Sequence, residues 1–486
     1  MKDIHTVLNQ VDGMQIAHHL KNKDFSVLEL LKTVMQRAEK VNPKINAITE
    51  LNWTLAQQAA EKVDLGQSCL AGVPTLFKDL FTSCHGMRVT NGSRILGDAR
   101  ADIDDNLMAR YKAAGLIMLG STASPEFGTS YTTESTRFGA TRSPWNLEYS
   151  AGGSSGGAAA VVAARIVPFA HGNDGGGSLR IPASCCGIFG LKPSRGMMPS
   201  GPFVGEGWAG FGTPHAVTLS VRDSAALLDL SAGADLGAPY AAPARPSSFV
   251  KTLDLPLKAL KIAMVEDIQP WGVRQEAKDA VRHAARCCED LGHKIEQIQL
   301  PINLEQFIED CFTIISANTQ EYLDLLAVLQ AQPTQLELIE PRTRIMLKYR
   351  AEATGVDYVK AVGNMHALGR TFARLLENYD VILSPTLADA PAKIGELDRF
   401  DENLTLQQII KSFHSYSPFT AIYNATGQPA MSVPLYWTAS GLPIGAHFAG
   451  RFGDESTLLQ LARQLELAHP WIQKIPPVSA VEKDAI

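Results

Sequence analysis

The stretch 143–221 constrains this chain more than any other: it holds 16 of the 39 glycines and only seven charged side chains, Glu148, Arg165, Asp174, Arg180, Lys192, Arg195 and Glu206. Backbone, not side chain, dominates such a block. Dense glycine lets a chain approach itself or a ligand closely and aim N–H groups inward, which is how anion and oxyanion sites are built. A plain run of turns is the alternative. Within the block, Gly152-Gly-Ser-Ser-Gly-Gly157 contains G-x-S-x-G, the nucleophile elbow of α/β-hydrolases, with Ser154 as nucleophile. The elbow needs a strand straight before it, whereas residues 143–150 are polar and broken by Pro144. Gly205-x-Gly207-x-x-Gly210 matches a dinucleotide fingerprint in form, yet Thr213-Pro214 stands where a helix should start, so a loop is expected.

The rest of the chain reads as α/β. Its 486 residues allow one large α/β unit or two to four domains. Val27, Leu30, Leu31, Val34, Ala38 and Val41 share one helix face, opened by the capping box Ser26-x-x-Glu29 and stopped by Asn42-Pro43. A helix over 104–114, ended by Gly115, is followed by a short apolar strand at 116–119. Residues 236–250, rich in Pro, Ala and Ser, form a connector between two halves. Beyond it come a strand at 261–265, a helix at about 276–291 and a strand at 294–300, a βαβ pattern. Mainly helical sequence, more variable in character, fills about 301–378, and strands are expected at 380–384, 430–435 and 444–448 before a closing helix at about 455–468.

Charge excludes several function classes. Lys and Arg number 44 against 50 Asp and Glu, a net charge of −6 that gives no concentrated basic face for nucleic acid or an anionic membrane. The longest run without Asp, Glu, Lys or Arg, Ser412 to Gly450, is interrupted by Pro418, Pro429, Pro434 and Pro443, so buried strands and loops around a pocket are expected there rather than a membrane span. Seven cysteines, with the neighbours Cys185/Cys186 and Cys287/Cys288 and no C-x-x-C pair, read as reduced, buried thiols of a cytoplasmic protein. The N-terminal stretch Met1–Gly13 has no apolar h-region, so no signal peptide is expected. The 12 histidines include no H-E-x-x-H and no zinc-like spacing, so no metal is expected, and His171 reads as a hydrogen-bonded core residue.

One combination rises above these patterns. Lys78 in Gly72-Val-Pro-Thr-Leu-Phe-Lys-Asp79, then the glycine–serine run at 152–157, then Asp174-Gly-Gly-Gly-Ser178-Leu-Arg-Ile-Pro-Ala183 occur in this order. This resembles the amidase signature family, whose pattern sets its two serines at the separation of Ser154 and Ser178, and the likeness extends through Gly139–Trp145, Cys186–Pro193 and Gly427–Pro434. The resemblance implies a single amidase signature domain over 1–486 with its catalytic core at about 65–225. The fold it implies is a large mixed twisted β-sheet covered by helices on both faces. It also implies a Ser-cisSer-Lys triad of Ser178 as nucleophile, Ser154 on a cis peptide as proton relay and Lys78 as base. The backbone N–H groups of Gly175, Gly176, Gly177 and Ser178 would form the oxyanion hole, with Asp174 and Arg180 bracing the glycine loop. No cofactor is implied.

The chemistry asks for these residue types. A serine hydroxyl is a poor nucleophile until a base takes its proton, and no Asp/His pair with usable spacing presents itself. Lysine serves if neutral. Lowering its pKa from about 10.4 to near 7 takes roughly 5 kcal/mol, which burial in an apolar strand supplies. Val73, Leu76, Phe77 and Leu80 offer that environment, whereas the bland reading of Lys78 is a snorkelling lysine at a strand end.

The expected activity is hydrolysis of a carbon–nitrogen amide bond in a small or medium linear or cyclic amide. The approach His171-Gly-Asn-Asp-Gly-Gly-Gly-Ser178 and the stretch Pro199–Gly205 resemble the branch of the family that hydrolyses 6-aminohexanoate cyclic dimers; aryl or acyl amides are also open. The alternatives are a glutaminase subunit of a tRNA-dependent amidotransferase, an esterase of the α/β-hydrolase class using Ser154, and a silent interaction protein, disfavoured because all three triad positions are filled. Phe127, Thr129 and Tyr131, the loop near 200–212 and the helical stretch 303–350 are candidate pocket walls, with ordinary core packing as the other reading. The expected partner is a small-molecule amide, without nucleic acid or membrane; a homodimer is left open.

Overall fold

Residues 4–397, 403 and 405–481 are described in the computed structural model of the protein; the start of the N-terminal stretch read above, residues 1–3, lies outside them. Eight strands form the central sheet in the order Lys294–Gln297, Lys261–Met264, Val381–Pro385, Pro443–Ala449, Ala430–Trp437, Phe189–Lys192, Thr213–Thr218, Phe169–Asp174. Strand Lys261–Met264 pairs in parallel with both its neighbours, and the other pairs are antiparallel, so the sheet is mixed. The βαβ pattern is realised by Lys261–Met264, helix Gln275–Asp290 and Lys294–Gln297.

Alternation along these strands explains the layers. Ile262, Val381, Leu383, Met431, Val433, Ala446 and Phe448 enter one hydrophobic core, and their neighbours Ala263, Ile382, Ala430 and Ala449 enter another. Successive strand residues point to opposite faces, so each face carries its own core. Helices Gln275–Asp290 and Glu455–Ala468 contribute to the first through Val281, Ala284, Leu458 and Ala462. Helices Leu304–Leu329 and Gly355–Asn378 contribute to the second through Phe307, Ile308, Met365 and Phe372.

A smaller sheet, Ile48–Leu51, Ile117–Thr122 and Pro74–Lys78, abuts the edge strand Phe169–Asp174. Thr75 Oγ1 donates to Phe169 O (3.0 Å) and the Lys78 N–H to His171 Nδ1 (3.3 Å). This seam sets the end of the strand Pro74–Lys78 beside the strand Phe169–Asp174, which leads into the glycine loop at 175–177.

Three expectations change. The helix opened by Ser26 runs through Asn42-Pro43 to Ile45 and stops at Asn46, in the left-handed region at φ 50°. Asn42 does not end it but accepts from the N–H groups of Ala47 and Ile48, both at 2.8 Å, and so holds the chain that leaves it. Residues 143–150 are not strandless: Arg142–Ser143 and Asn146–Ser150 pair as an antiparallel ribbon, separate from the central sheet. The uncharged run 412–450 holds two strands as expected but also helical turns, Ile410–His414 reaching into it and Thr420–Ala425 within it. No helix among the described residues is long and apolar enough to cross a membrane.

Candidate active site

Lys78 closes the strand Pro74–Lys78 and has no exposed surface. Ser154 precedes the helix Gly156–Ala163 on a cis Gly153–Ser154 peptide, and Ser178 follows the strand Phe169–Asp174. Lys78 Nζ lies 2.7 Å from Ser154 Oγ and 2.7 Å from Asn173 Oδ1. Asn173 Nδ2 donates to Leu80 O (2.7 Å), which turns its oxygen toward the lysine. The Ser155 N–H donates to Ser178 O (3.2 Å), tying the two serine segments together. Burial pushes the Lys78 pKa well below that of an ordinary lysine, against the opposing charge of Asp174. His171, beneath it, is pushed down to about 3 by burial and then by the Lys78 charge, so it is a neutral acceptor for the Lys78 N–H.

The loop after Asp174 is built on a buried ion pair. Arg180 donates through Nε to Asp174 Oδ2 (3.0 Å) and through Nη2 to Asp174 Oδ1 (2.9 Å) and Asn424 Oδ1 (2.6 Å). Its Nη1 donates to Thr420 O (2.8 Å) and His447 Nε2 (3.0 Å), so all five guanidinium hydrogens have acceptors. Burial alone would raise the Asp174 pKa, but Arg180 and the hydrogen bonds override it and hold the carboxylate well below the usual range. Asp174 also accepts from the N–H groups of Gly177 (2.7 Å) and Leu179 (3.0 Å).

The Gly177 contact changes the expected oxyanion set. The Gly177 amide is committed to Asp174, and Gly177 does not line the cavity. Among the described residues the N–H groups of Gly175, Gly176 and Ser178 have no partner, and these three residues do line it. Gly177 instead answers a steric demand: its φ is +131°, and a Cβ there would stand 2.4 Å from Thr420 Oγ1.

The cavity in front of these amides is mostly apolar. Thr129 and Tyr131 line it, as do Trp208 and Phe211 from the loop near 200–212 and Ile308, Cys311, Phe312 and Met346 from the stretch 303–350. Phe127 does not: its ring packs with Ile95, Leu323, Leu326 and Ile339 and meets Tyr322 edge-on at 5.6 Å. It belongs to the core. Sequence reasoning missed Asn173, Thr420, Asn424 and His447. Asn173 sits inside a quoted motif, next to Asp174, and that adjacency was its signal; the other three lie in the C-terminal part of the chain, far from the loop they brace, and carry no motif of their own. Among the described residues, no group of three or more His, Cys, Asp or Glu side chains is placed to hold a metal ion.

The chain matches the Amidase family profile over residues 29–459. It belongs to the amidase signature family. The 6-aminohexanoate-cyclic-dimer hydrolase of Paenarthrobacter ureafaciens is 34% identical over 477 residues, covering 96% of each chain. An acylamidase of Rhodococcus erythropolis is 31% identical over 98% of each. A solved structure of 6-aminohexanoate cyclic dimer hydrolase complexed with substrate superposes with a TM-score of 0.92 at 33% identity, over 97% of this chain and 99% of that one. The protein is therefore an amidase, an enzyme that hydrolyses carbon–nitrogen amide bonds.

Proposed function

We propose that this amidase works through an acyl-enzyme on Ser178, with Ser154 as proton relay, Lys78 as base and the Gly175, Gly176 and Ser178 amides as oxyanion donors. The observation that carries the reading is the Lys78 environment. A neutral amine has two hydrogens and one lone pair. The two oxygens of Asn173, at 2.7 and 3.4 Å, suit the hydrogens, and Ser154 Oγ at 2.7 Å suits the lone pair.

In acylation, Ser178 Oγ attacks the amide carbon while its proton passes to Ser154 Oγ, whose own proton passes to Lys78 Nζ. The negative charge that develops on the carbonyl oxygen meets amides already fixed by the Asp174–Arg180 brace, where such donors contribute most. Collapse breaks the C–N bond as Ser154 protonates the leaving nitrogen and Lys78 reprotonates Ser154. Water then attacks the ester, its proton returning along the same relay, and a carboxylic acid leaves.

The substrates proposed are small or medium linear or cyclic amides, 6-aminohexanoate-dimer-like or aryl and acyl amides, because the cavity wall is apolar and the similar enzymes carry those names. A cytoplasmic setting is proposed on the free thiols, all buried except the half-buried Cys69. The test is intact mass after reaction with a fluorophosphonate. One adduct on the wild type, absent in Ser178→Ala and slowed in Ser154→Ala and Lys78→Ala, supports the reading. Labelling that survives Ser178→Ala and vanishes in Ser154→Ala overturns it in favour of a Ser154 nucleophile.

A further inference from the structure

One polar side chain of the cavity wall has no task in that mechanism. His414 ends the helical turn Ile410–His414, is 8% exposed and lines the same cavity as Ser178. The rings of Tyr131, Phe312 and Phe413 stand around it at 5.6, 5.8 and 5.2 Å. Its Nδ1 lies 2.7 Å from the Tyr131 hydroxyl. Tyr131 is buried, and His414 is the one hydrogen-bond partner of its hydroxyl among the described residues. A buried phenol must place its hydrogen on an acceptor, so Tyr131 donates to Nδ1 and the imidazole hydrogen sits on Nε2. Nε2 has no partner among the described residues. Burial holds the ring neutral, its pKa pushed down to about 3, so the two nitrogens keep these distinct roles.

A buried N–H without an acceptor is costly, and a ligand that brings the acceptor recovers that cost. The neighbouring charge says what kind of acceptor fits. Arg342 also lines the cavity, over the Phe413 ring at 5.3 Å; burial pushes its pKa down to about 10 against the charges of Glu340, Glu126 and Glu134, and three carboxylates around one cation would repel a further anion. An anion gains little there. A neutral oxygen is preferred.

We infer that His414 determines specificity in this site, donating from Nε2 to a second, neutral carbonyl of the substrate set back along an apolar chain from the scissile amide. The preferred substrates are then amides that carry a further amide-like or ketone carbonyl. Tyr131 is a positioning residue, since it acts by fixing the His414 tautomer. The inference rests on the acyl-enzyme reading above, and the experiment separates their failures.

The probes are the 4-nitroanilides of heptanoic acid and of 4-, 5- and 6-oxoheptanoic acid, with the adipic acid monoanilide as the anionic member. Wild type is expected to prefer at least one oxo substrate over the heptanoyl parent by about tenfold or more in kcat/KM, the discrimination a built hydrogen bond gives. His414→Leu brings that ratio to about 1, His414→Gln, which keeps an N–H donor, retains part of it, and Tyr131→Phe lowers it several-fold. Fluorophosphonate labelling of each variant reports an intact Ser178 site, and Tyr131→Phe and His414→Gln carry the test if His414→Leu does not fold. A ratio unmoved by these substitutions overturns the inference, as does a wild type with no oxo preference or one that favours the adipic monoanilide. Absence of Ser178 labelling in the wild type would instead remove the acyl-enzyme reading itself.

Discussion

The floor and the wall of the cavity are built in opposite ways. The floor is polar and hydrogen-bonded: Lys78, Asn173, Asp174 and Arg180 come from two adjacent strands and the loop that follows, and most of their side-chain donors meet an acceptor within 3.0 Å, while the Gly175, Gly176 and Ser178 amides stay open toward the cavity. The wall is apolar and assembled from distant segments: Trp208 and Phe211, Ile308 to Met346, then Phe413 and Ala421. A floor of that kind holds one geometry for one chemistry. Apart from Arg342 and His414 the wall is apolar, and its apolar side chains can be changed one at a time without touching the ion pair of the floor, so reaction is expected of the floor and substrate choice of the wall.

The harshest way to break this division is to damage the floor. Ser178→Ala and Lys78→Ala are each expected to lower kcat by about 10⁴-fold or more on every amide tested, and the double variant little further, because residues that act as a unit are not additive. Steady-state rates on three unrelated amides check it. Losses that differ greatly between substrates would mean that the floor also selects.

Next in size is the brace. Arg180→Met leaves Asp174 buried without its partner, and breaking a buried pair in this way costs about 3–5 kcal/mol. Denaturant unfolding is expected to reveal that loss. The same substitution at the wall, Phe413→Met, keeps apolar volume and is expected to cost less than about 1.5 kcal/mol. Equal losses would erase the distinction drawn between the two regions.

How far each region was legible in the sequence follows the same line. The floor was readable because glycine loops, paired serines and a strand-end lysine follow one another in fixed order between Lys78 and Arg180. What was misread there, the Gly177 amide, depends on where Asp174 turns its carboxylate, which spacing does not reveal. The wall was readable only as regions. Phe127 stands close to Thr129 in the chain yet faces the core, because a backbone at φ 49° turns it away. His414 and Asn424 had no motif at all; their places are set by sheet order, which brings the run 412–450 beside strands from the first half of the chain.

A subtler change sharpens the floor's electrostatics. As the proposed base, Lys78 has to be neutral to accept a proton, and burial lowers its pKa, so activity is expected above that lowered pKa and its loss is expected as pH falls through it. Asn173→Asp places a carboxylate where Asn173 Oδ1 now stands, 2.7 Å from Nζ. An opposite charge at that distance favours the ammonium form, so the acid limb of the kcat/KM profile is expected to move to higher pH by about 1–3 units. A limb that stays in place would mean that a group other than Lys78 controls it.

The smallest effect expected is at the wall. Met346 lines the cavity and is 4% exposed, and its unbranched side chain fills space without a polar partner. Met346→Ala removes that filling. A pocket change of one or a few methylenes shifts discrimination between substrates by about 10- to 200-fold at most, and the part lost to collapse of neighbouring apolar groups lowers it. The expected outcome is a preference for longer or bulkier acyl groups raised by about tenfold, read as the ratio of kcat/KM for decanoyl over butanoyl 4-nitroanilide. The acid limb of the pH profile stays where the wild type has it, since no floor group has moved. A shift of that limb in Met346→Ala would show that wall and floor are coupled, and the assignment of reaction to one and choice to the other would fail at that point.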